Sequence, residues 1–310
     1  MFPAQTMVPV LILALLTTAP SQAAETKSVP RHSVVYDNLL ALRYNPLGLE
    51  DRLRVAYQLR LYDSDSILWK SAYVGVALTP TFNPALTRLG GRFEIMPIAI
   101  LKLHAGAYFV AWHGTFEYFR SFPSALSDTS DEALDAGEDA GLNYATTGYQ
   151  VELGGQFQIK FGPIAIRDTF DFYRSSNDLH NGDRAFYDPR LDLMIGNDGW
   201  HLENDLDVVW ISNFGLVAGV RTHLSHAWYD ESDFAPGESS TNPNSPYWTS
   251  GLLAAYVFDV DWGSAFQKPT VIFLANWYLK HRYRTGQETT QALPYLGLAF
   301  RINGDLWTSD

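Results

Sequence analysis

Apolar and polar side chains alternate along residues 149–173, and this alternation predicts a long β-hairpin. Successive side chains on a strand point to opposite faces. The apolar face of the first arm carries Val151, Leu153, Phe157, Ile159 and Phe161. The opposite face carries Gln150, Glu152, Gln156, Gln158 and Lys160. At ~3.3 Å per residue this arm extends about 40 Å, which exceeds the usual strand of a soluble sheet. A transmembrane β-barrel requires such arms, joined by tight turns like Gly162-Pro163.

Comparable segments recur along the chain and predict about twelve strands. They cover residues 33–44, 51–62, 67–79, 88–96, 100–112, 149–161, 164–173, 201–211, 216–229, 247–258, 271–283 and 295–302. The sequence therefore predicts an all-β protein, a transmembrane antiparallel up-and-down β-barrel of about 12 strands. The segment Leu191–Ile195 also has the composition of a strand. An even strand count requires residues 190–199 to belong to a loop.

The predicted connections alternate in length. Short turns lie around Ser64, Pro97, Pro163 and Asn213, whereas long polar loops are predicted at 113–143, 174–199 and 230–246. Membrane β-barrels have short turns at one end and longer loops at the other. We expect the first long loop to be mobile, because its acidic part has little apolar area to bury.

The last predicted strand reads Tyr295-Leu-Gly297-Leu-Ala-Phe300-Arg-Ile302. A polar residue, a glycine and two large apolar residues at alternate positions resemble the terminal assembly signal of bacterial outer-membrane β-barrel proteins. In that family the signal usually ends the chain, whereas here residues 303–310 follow it. The resemblance implies an outer-membrane location, periplasmic turns and termini, external long loops, and contact with membrane lipids and lipopolysaccharide. It indicates no named subfamily.

Residues 1–24 are predicted to be a cleaved secretory signal peptide, and residues 25–310 a single barrel domain. Val8–Leu16 is apolar and Ser21-Gln22-Ala23 has the small-x-small pattern of a cleavage site, although no Lys or Arg precedes the apolar core. The net charge of −12 makes nucleic acid an unsuitable partner. The chain has no cysteine, so it has neither disulfides nor thiolate metal sites.

Charged residues lie on the faces opposite the apolar residues, so in a membrane they line the lumen. Buried charges are costly unless they are paired or hydrated. We therefore expect a narrow, partly salt-bridged bore that sets selectivity for small solutes, with a basic side and an acidic side. The predicted lumen residues are Arg52, Arg54, Arg60, Lys102, Glu152, Arg167, Asp171, Glu203, Asp205, Asp207, Arg221 and Arg282. Asp168 falls on the lipid face, which suggests a bulge near Thr169 or an error of register.

Two motifs suggest functions other than solute passage, namely catalysis and cation binding. His223 and Ser225 are two positions apart on one strand, so they share a face and could act as base and nucleophile. Outer-membrane phospholipase A and lipid A deacylases are barrels that use His and Ser in this way. No asparagine is positioned by spacing to orient His223, and the pair faces the lumen instead of lipid. The second motif, Asp178, Asn181 and Asp183, offers oxygen ligands for a divalent cation, but these are also common turn residues.

The sequence favours a non-enzymatic outer-membrane barrel, either a porin-like channel for small solutes or a surface structural component. The alternative is a lipid hydrolase that uses Ser225 and His223, so enzymatic activity stays open. No phosphate-binding, zinc-helix or dinucleotide motif occurs, and no cofactor is expected.

Overall fold

The computed structural model describes residues 30–115, 119–180, 182–242, 246–260, 262–286 and 292–309. The predicted signal peptide lies outside these ranges. Sixteen strands form a large sheet of thirteen and a small sheet of three. In chain order they are β1 (His32–Tyr44), β2 (Gly48–Arg60), β3 (Tyr73–Leu78), β4 (Thr81–Asn83), β5 (Leu86–Ile98), β6 (Leu101–His113), β7 (Ser121–Phe122), β8 (Ala145–Phe161), β9 (Ile164–Asn177), β10 (Ala185–Asp188), β11 (Leu193–Gly196), β12 (Gly199–Ile211), β13 (Leu216–Ala227), β14 (Tyr247–Val257), β15 (Gln267–Lys280) and β16 (Tyr295–Ser309).

The large sheet closes into a barrel of twelve antiparallel wall strands, which confirms the predicted fold. The first strand, β1, pairs with the last, β16, from His32 opposite Ser309 to Tyr44 opposite Leu296. Both β3 and β4 pair with β2 on one side and β5 on the other, so together they form one wall strand interrupted at Thr79-Pro80. This wall strand starts at Tyr73, later than predicted, because residues 67–71 form turns.

The apolar faces point outward and the charged faces point inward, as predicted. Arg54 and Glu94 are completely buried inside the barrel, whereas 52% of Phe109 and 51% of Leu298 are exposed on its outer surface. A soluble barrel would place these residues the other way round. An exposed apolar belt around a charged interior is the arrangement of a membrane barrel.

Long connections gather at one end of the barrel, which we call the loop end, and most connections at the opposite turn end are short. The turn end joins β5 to β6, β8 to β9 and β12 to β13 by short turns, while residues 61–72 make a longer excursion there. The loop end carries residues 114–144, 178–198 and 228–246. Exposed aromatic residues near both ends, such as Trp200 and Trp228 at the loop end and Trp210 and Phe214 at the turn end, fit interfacial girdles.

The acidic part of the first long loop is ordered, contrary to the expectation of a mobile segment. Helix α1 spans Asp131–Asp139, and the Ser130 side chain caps it by accepting a hydrogen bond from the Ala133 amide. Leu134 on this helix is buried with Phe122 and Ala125 of the same loop. The apolar residues between the acidic ones therefore supply the burial that orders the loop. Within the described ranges, no helix is long and apolar enough to cross a membrane.

The segment Leu191–Ile195, which made the strand count ambiguous, does contribute a strand, but that strand lies outside the wall. Strand β11 pairs with β10, and β10 pairs with β7 of the preceding loop. This three-stranded sheet belongs entirely to the loop end. The count of twelve wall strands therefore stands.

Candidate functional site: a charged lumen and its plug

A compact ion network lies between β2 and β8 inside the barrel. Arg54 Nε donates to Glu94 Oε1 at 2.8 Å, and Arg92 Nε donates to the same oxygen at 2.7 Å. Lys102 Nζ lies 3.3 Å from Glu94, while Arg92 also reaches Glu152 at 3.4 Å. The buried Glu94 carboxylate therefore contacts three cations, one of which, Arg92, also contacts Glu152.

A second network lies on the other side of the lumen. Asp207 on β12 accepts hydrogen bonds from Arg221 of β13, with Nε 2.6 Å from Oδ1, and from Arg167 of β9, with Nε 3.0 Å from Oδ2. Asp205 also lies on β12, and its Oδ1 atom is 3.1 Å from His223 Nδ1. Strand pairing explains the grouping, because Asp207 lies directly opposite both Arg167 and Arg221.

The remaining predicted lumen residues occupy three kinds of position. Arg52 pairs with Glu50 near the loop end, and Arg60 pairs with Asp63 at the turn end. Asp171 and Glu203 are buried neighbours on β9 and β12. Arg282 is not on the wall, because β15 ends at Lys280, and it donates to the carbonyls of Leu126 and Ser127 in the first long loop.

Strands β10 and β11 and the turn between them form what we call the plug, residues 185–196, and β10 pairs with β7 of the first long loop. All of these residues are buried although none belongs to the barrel wall. Phe186, Leu191, Leu193 and Ile195 pack within a cluster that also contains inward-facing residues of wall strands on several sides of the bore. These wall residues include Leu39, Leu86, Trp112, Ala227, Tyr247, Tyr278 and Tyr295. Contacts on so many sides place the plug inside the bore at the loop end.

Charged contacts hold the plug in place. Arg43 of β1 donates to the carbonyl oxygens of Pro189 at 2.6 Å and Arg190 at 2.9 Å. Asp192 accepts hydrogen bonds from Tyr187 at 2.5 Å and from Arg284. His281 Nε2 also lies 2.9 Å from the Asp192 carbonyl. Burial by itself would raise the pKa of Asp192, but the charges of His281 and Arg284 outweigh it and lower that pKa to about 2.

A cavity of about 690 Å³ opens beside the plug at the loop end, and we call it the vestibule. Its lining combines the β1–β2 hairpin, the β4–β5 turn, α1 and the plug. The charged lining residues are Arg43, Arg52, Arg190 and Arg284, with Glu50, Asp131 and Asp135. Two of the four arginines, Arg190 and Arg284, form ion pairs with the plug carboxylates Asp188 and Asp192, so their charges are balanced.

His223 and Ser225 are in contact, and the sequence did not reveal the third member of their group. His223 Nε2 lies 3.0 Å from Ser225 Oγ and 3.1 Å from the Tyr247 hydroxyl, while its Nδ1 lies 3.1 Å from Asp205. Asp205 orients the ring, since it sits directly opposite His223 on the paired strand.

The Asp205–His223–Ser225 group is enclosed. Ser225 has no exposed surface, and the adjoining void, which His223 and Tyr247 line, measures about 10 Å³. Such a void holds about one water molecule. A lipid carbonyl therefore has no route to Ser225 Oγ, although the three side chains have the mutual contacts of a catalytic triad.

Two of the predicted cation-binding residues, Asp178 and Asp183, have different contacts. Asp183 accepts a hydrogen bond from Ser121, whereas the Asp178 backbone pairs with Thr147. Asn181 lies outside the described residues. Asp168 does face the lipid side, and neither strand pairing of β9 shows a register shift there, so the predicted bulge is wrong. Its carboxylate instead accepts a hydrogen bond from Asn204 at 2.6 Å.

A closed barrel with an apolar exterior and a charged interior defines the class of this protein as a transmembrane β-barrel of the bacterial outer-membrane type. No protein-family model and no curated protein matches the chain. Solved structures that resemble it include the KdgM porin, with a TM-score of 0.38 and 9% identity over 88% of this chain and 100% of that one.

The NanC porin aligns with a TM-score of 0.38 and 10% identity, over 87% of this chain and 100% of that one. The translocator domain of the autotransporter NalP from Neisseria meningitidis aligns at 0.36 and 8%, over 88% and 87% of the two chains. Similarity at this level does not bear on function, which has to be inferred from the barrel itself.

Proposed function

We propose that the protein is a porin-like channel for small solutes in the bacterial outer membrane, closed at its loop end by the plug. The observation that carries the proposal is the vestibule, because lumen arginines form part of its wall and the plug separates it from the bore. A barrel with a purely structural role has no need of a polar bore, since an apolar filling avoids the cost of burying charge.

The loop end faces the outside of the cell in this proposal, and the turn end and both termini face the periplasm. Residues 1–24 would direct export and be removed. Membrane lipids contact the exposed apolar belt, and lipopolysaccharide surrounds the loop end. Cell fractionation tests this placement, since recovery of the protein in the soluble fraction would contradict it.

Conductance measurements in planar bilayers test the channel. Replacing residues 185–196 by a short Gly-Ser linker removes the plug while leaving every wall strand intact. We expect discrete conductance steps from this variant that are larger than those of the complete protein. If the variant folds, as judged by the heat-dependent gel mobility of barrels, and yet gives no conductance, the channel proposal fails.

Arg43 supports a preference for small anions once the plug is removed. Arg43 loses its plug carbonyl partners in the plug-deleted variant, so its charge then faces the open bore. Arg43→Gln in that background should lower the anion-to-cation permeability ratio, measured as the reversal potential in a salt gradient. Arg174→Gln is the matched control, because Arg174 lies on the outer surface with 47% of its side chain exposed. An equal effect of both substitutions would contradict selectivity by the vestibule.

A further inference from the structure

Three ionisable side chains converge in the middle of the barrel wall, where β6, β8 and β9 lie side by side. His104 Nε2 is 2.8 Å from Glu152 Oε1 and 2.9 Å from Asp171 Oδ1. The potential donor atoms of the three residues all lie within 4.8 Å of one another. All three side chains are buried. Neither the predicted lumen network nor the plug accounts for this convergence on one point.

The three side chains fill a space that Gly154 leaves open. Gly154 of β8 lies opposite both His104 and Asp171 in the sheet. A Cβ atom at this position would lie 2.0 Å from Asp171 Oδ1 and 2.6 Å from His104 Nε2. Only glycine therefore allows an imidazole and a carboxylate from the two flanking strands to meet above the middle strand.

The short contacts are not hydrogen bonds. Within the described residues, His104 Nε2 and Asp171 Oδ1 are buried and have no hydrogen-bond partner, whereas the Glu152 oxygen beside them, Oε1, accepts a hydrogen bond from Arg92. Proteins rarely leave buried polar atoms in this state, because each one costs about 1–3 kcal/mol. Two unpaired atoms that meet 2.9 Å apart, beside a third potential ligand, therefore indicate that another group binds there.

The local charge calls for a cation. Among the described residues, the one ion-pair partner of Asp171 is His104, and neighbouring Glu203 forms no ion pair. Glu94, by contrast, is surrounded by Arg54, Arg92 and Lys102. Positive charge is thus concentrated around Glu94 and reaches Glu152 through Arg92, whereas no Lys or Arg of the described ranges forms an ion pair with Asp171.

We propose that His104, Glu152 and Asp171 bind a divalent transition-metal ion of the zinc type. One imidazole nitrogen and two carboxylate oxygens suit such an ion, with bonds of about 2.0–2.2 Å. Calcium is less suitable, since it takes about 6–8 oxygen ligands. Ligands of a tetrahedral ion lie about 3.3 Å apart at these bond lengths, so His104 Nε2 needs to move away from each carboxylate by about half an ångström. The ion would join three adjacent wall strands at their centre.

Refolding with metal tests the site on the full chain without any substitution. The protein is unfolded in urea with a chelator, refolded into detergent with Zn²⁺ or Co²⁺, and freed of excess ion. We expect one bound ion per folded chain, a visible absorption spectrum of nitrogen- and oxygen-ligated Co²⁺, and a higher urea midpoint with Zn²⁺ than without it. Folded protein without stoichiometric metal would overturn the proposal.

Substitutions then identify the ligands. His104→Gln and Asp171→Asn should each abolish the Co²⁺ spectrum and the effect of Zn²⁺ on the urea midpoint. His201→Gln is the matched control, because His201 is a buried lumen histidine on a neighbouring strand, outside the cluster. Retention of the metal by folded His104→Gln protein, or its loss in His201→Gln, would contradict the assignment. If the ligand variants do not fold, the refolding experiment on the unsubstituted chain decides the matter.

Discussion

Arg54 on β2 reaches Glu94 on β5 across the intervening strand β3, with Nε 2.8 Å from Oε1 and neither side chain exposed to solvent. The pair spans three wall strands, so it braces the barrel from within. Tyr73 of β3 donates a further hydrogen bond to Glu94 at 3.1 Å. Every strand in this part of the wall therefore contributes to the charge balance of one carboxylate.

Glu94→Gln should destabilise the barrel more than Arg54→Gln. Removal of the carboxylate leaves Arg54, Arg92 and Lys102 without their common partner, at a cost of about 3–5 kcal/mol. Removal of Arg54 leaves Glu94 with two cations and should cost about 2 kcal/mol. Urea unfolding in lipid vesicles measures both, with Arg174→Gln at the exposed outer surface as control. Equal costs would show that Glu94 is not the centre of the network.

Asp192→Asn should release the plug. The substitution weakens the contacts with Arg284 and His281 that connect the plug to the loop after β15. Trypsin should then cut more rapidly after Arg190, which is buried in the intact protein. Asp198→Asn is the control, because Asp198 belongs to the same loop but pairs with Arg174 on the outer surface. Equal cleavage rates in the two variants would show that the contacts of Asp192 do not hold the plug in place.

Acid should loosen the plug through the same carboxylate. The pKa of Asp192 is about 2 in the folded protein, against about 3.9 in an unfolded chain. Because the folded pKa is the lower one, the stabilisation of roughly 2 kcal/mol is complete above pH ~4 and is lost as the pH falls toward 2. Cleavage of the plug by pepsin, which is active over this window, should increase as the pH falls, and the increase should be smaller in Asp192→Asn.

The alternation of side chains predicted which face of each strand lies inside, and hence the positions of Arg54, Asp171 and Asp207. It did not predict their partners. Arg54 contacts Glu94 across an intervening strand, and Asp205 contacts His223 because strand pairing places the two residues opposite each other. Both contacts therefore depend on how the strands align around the barrel. Asp168 shows the same division, since its outward direction was predicted correctly while its partner Asn204 was not.

The plug could not be predicted from the chain alone. Its residues form short strands without the long alternation that identifies the wall, and they are buried only because the wall surrounds them. Arg190 and Asp192 therefore looked like ordinary loop residues. Helix α1 was missed for a related reason, because the burial of one leucine, Leu134, depends on the neighbouring loops.

Ser225 should be unreactive toward a fluorophosphonate probe, although it contacts His223 in the manner of a hydrolase. The adjoining void of about 10 Å³ does not admit the reagent, and Ser225 is fully buried. Mass spectrometry of the folded, probe-treated protein measures the labelling. Labelling that disappears in Ser225→Ala would revive the lipid-hydrolase alternative, which would then also require loss of lipid cleavage in that variant.

The contact between Asn204 and Asp168 should stabilise the lipid-facing surface of β9 and β12. Asn204→Leu leaves the Asp168 carboxylate without its side-chain partner beside hydrocarbon, and we expect a loss of about 1–3 kcal/mol in the free energy of unfolding.

The double variant Asn204→Leu/Asp168→Leu removes both polar groups and should recover most of that loss, because no unpaired group is left facing lipid. A double-mutant cycle in vesicles isolates the interaction from the general effect of leucine on the belt. Additive effects of the two substitutions would mean that Asp168 is hydrated and does not depend on Asn204.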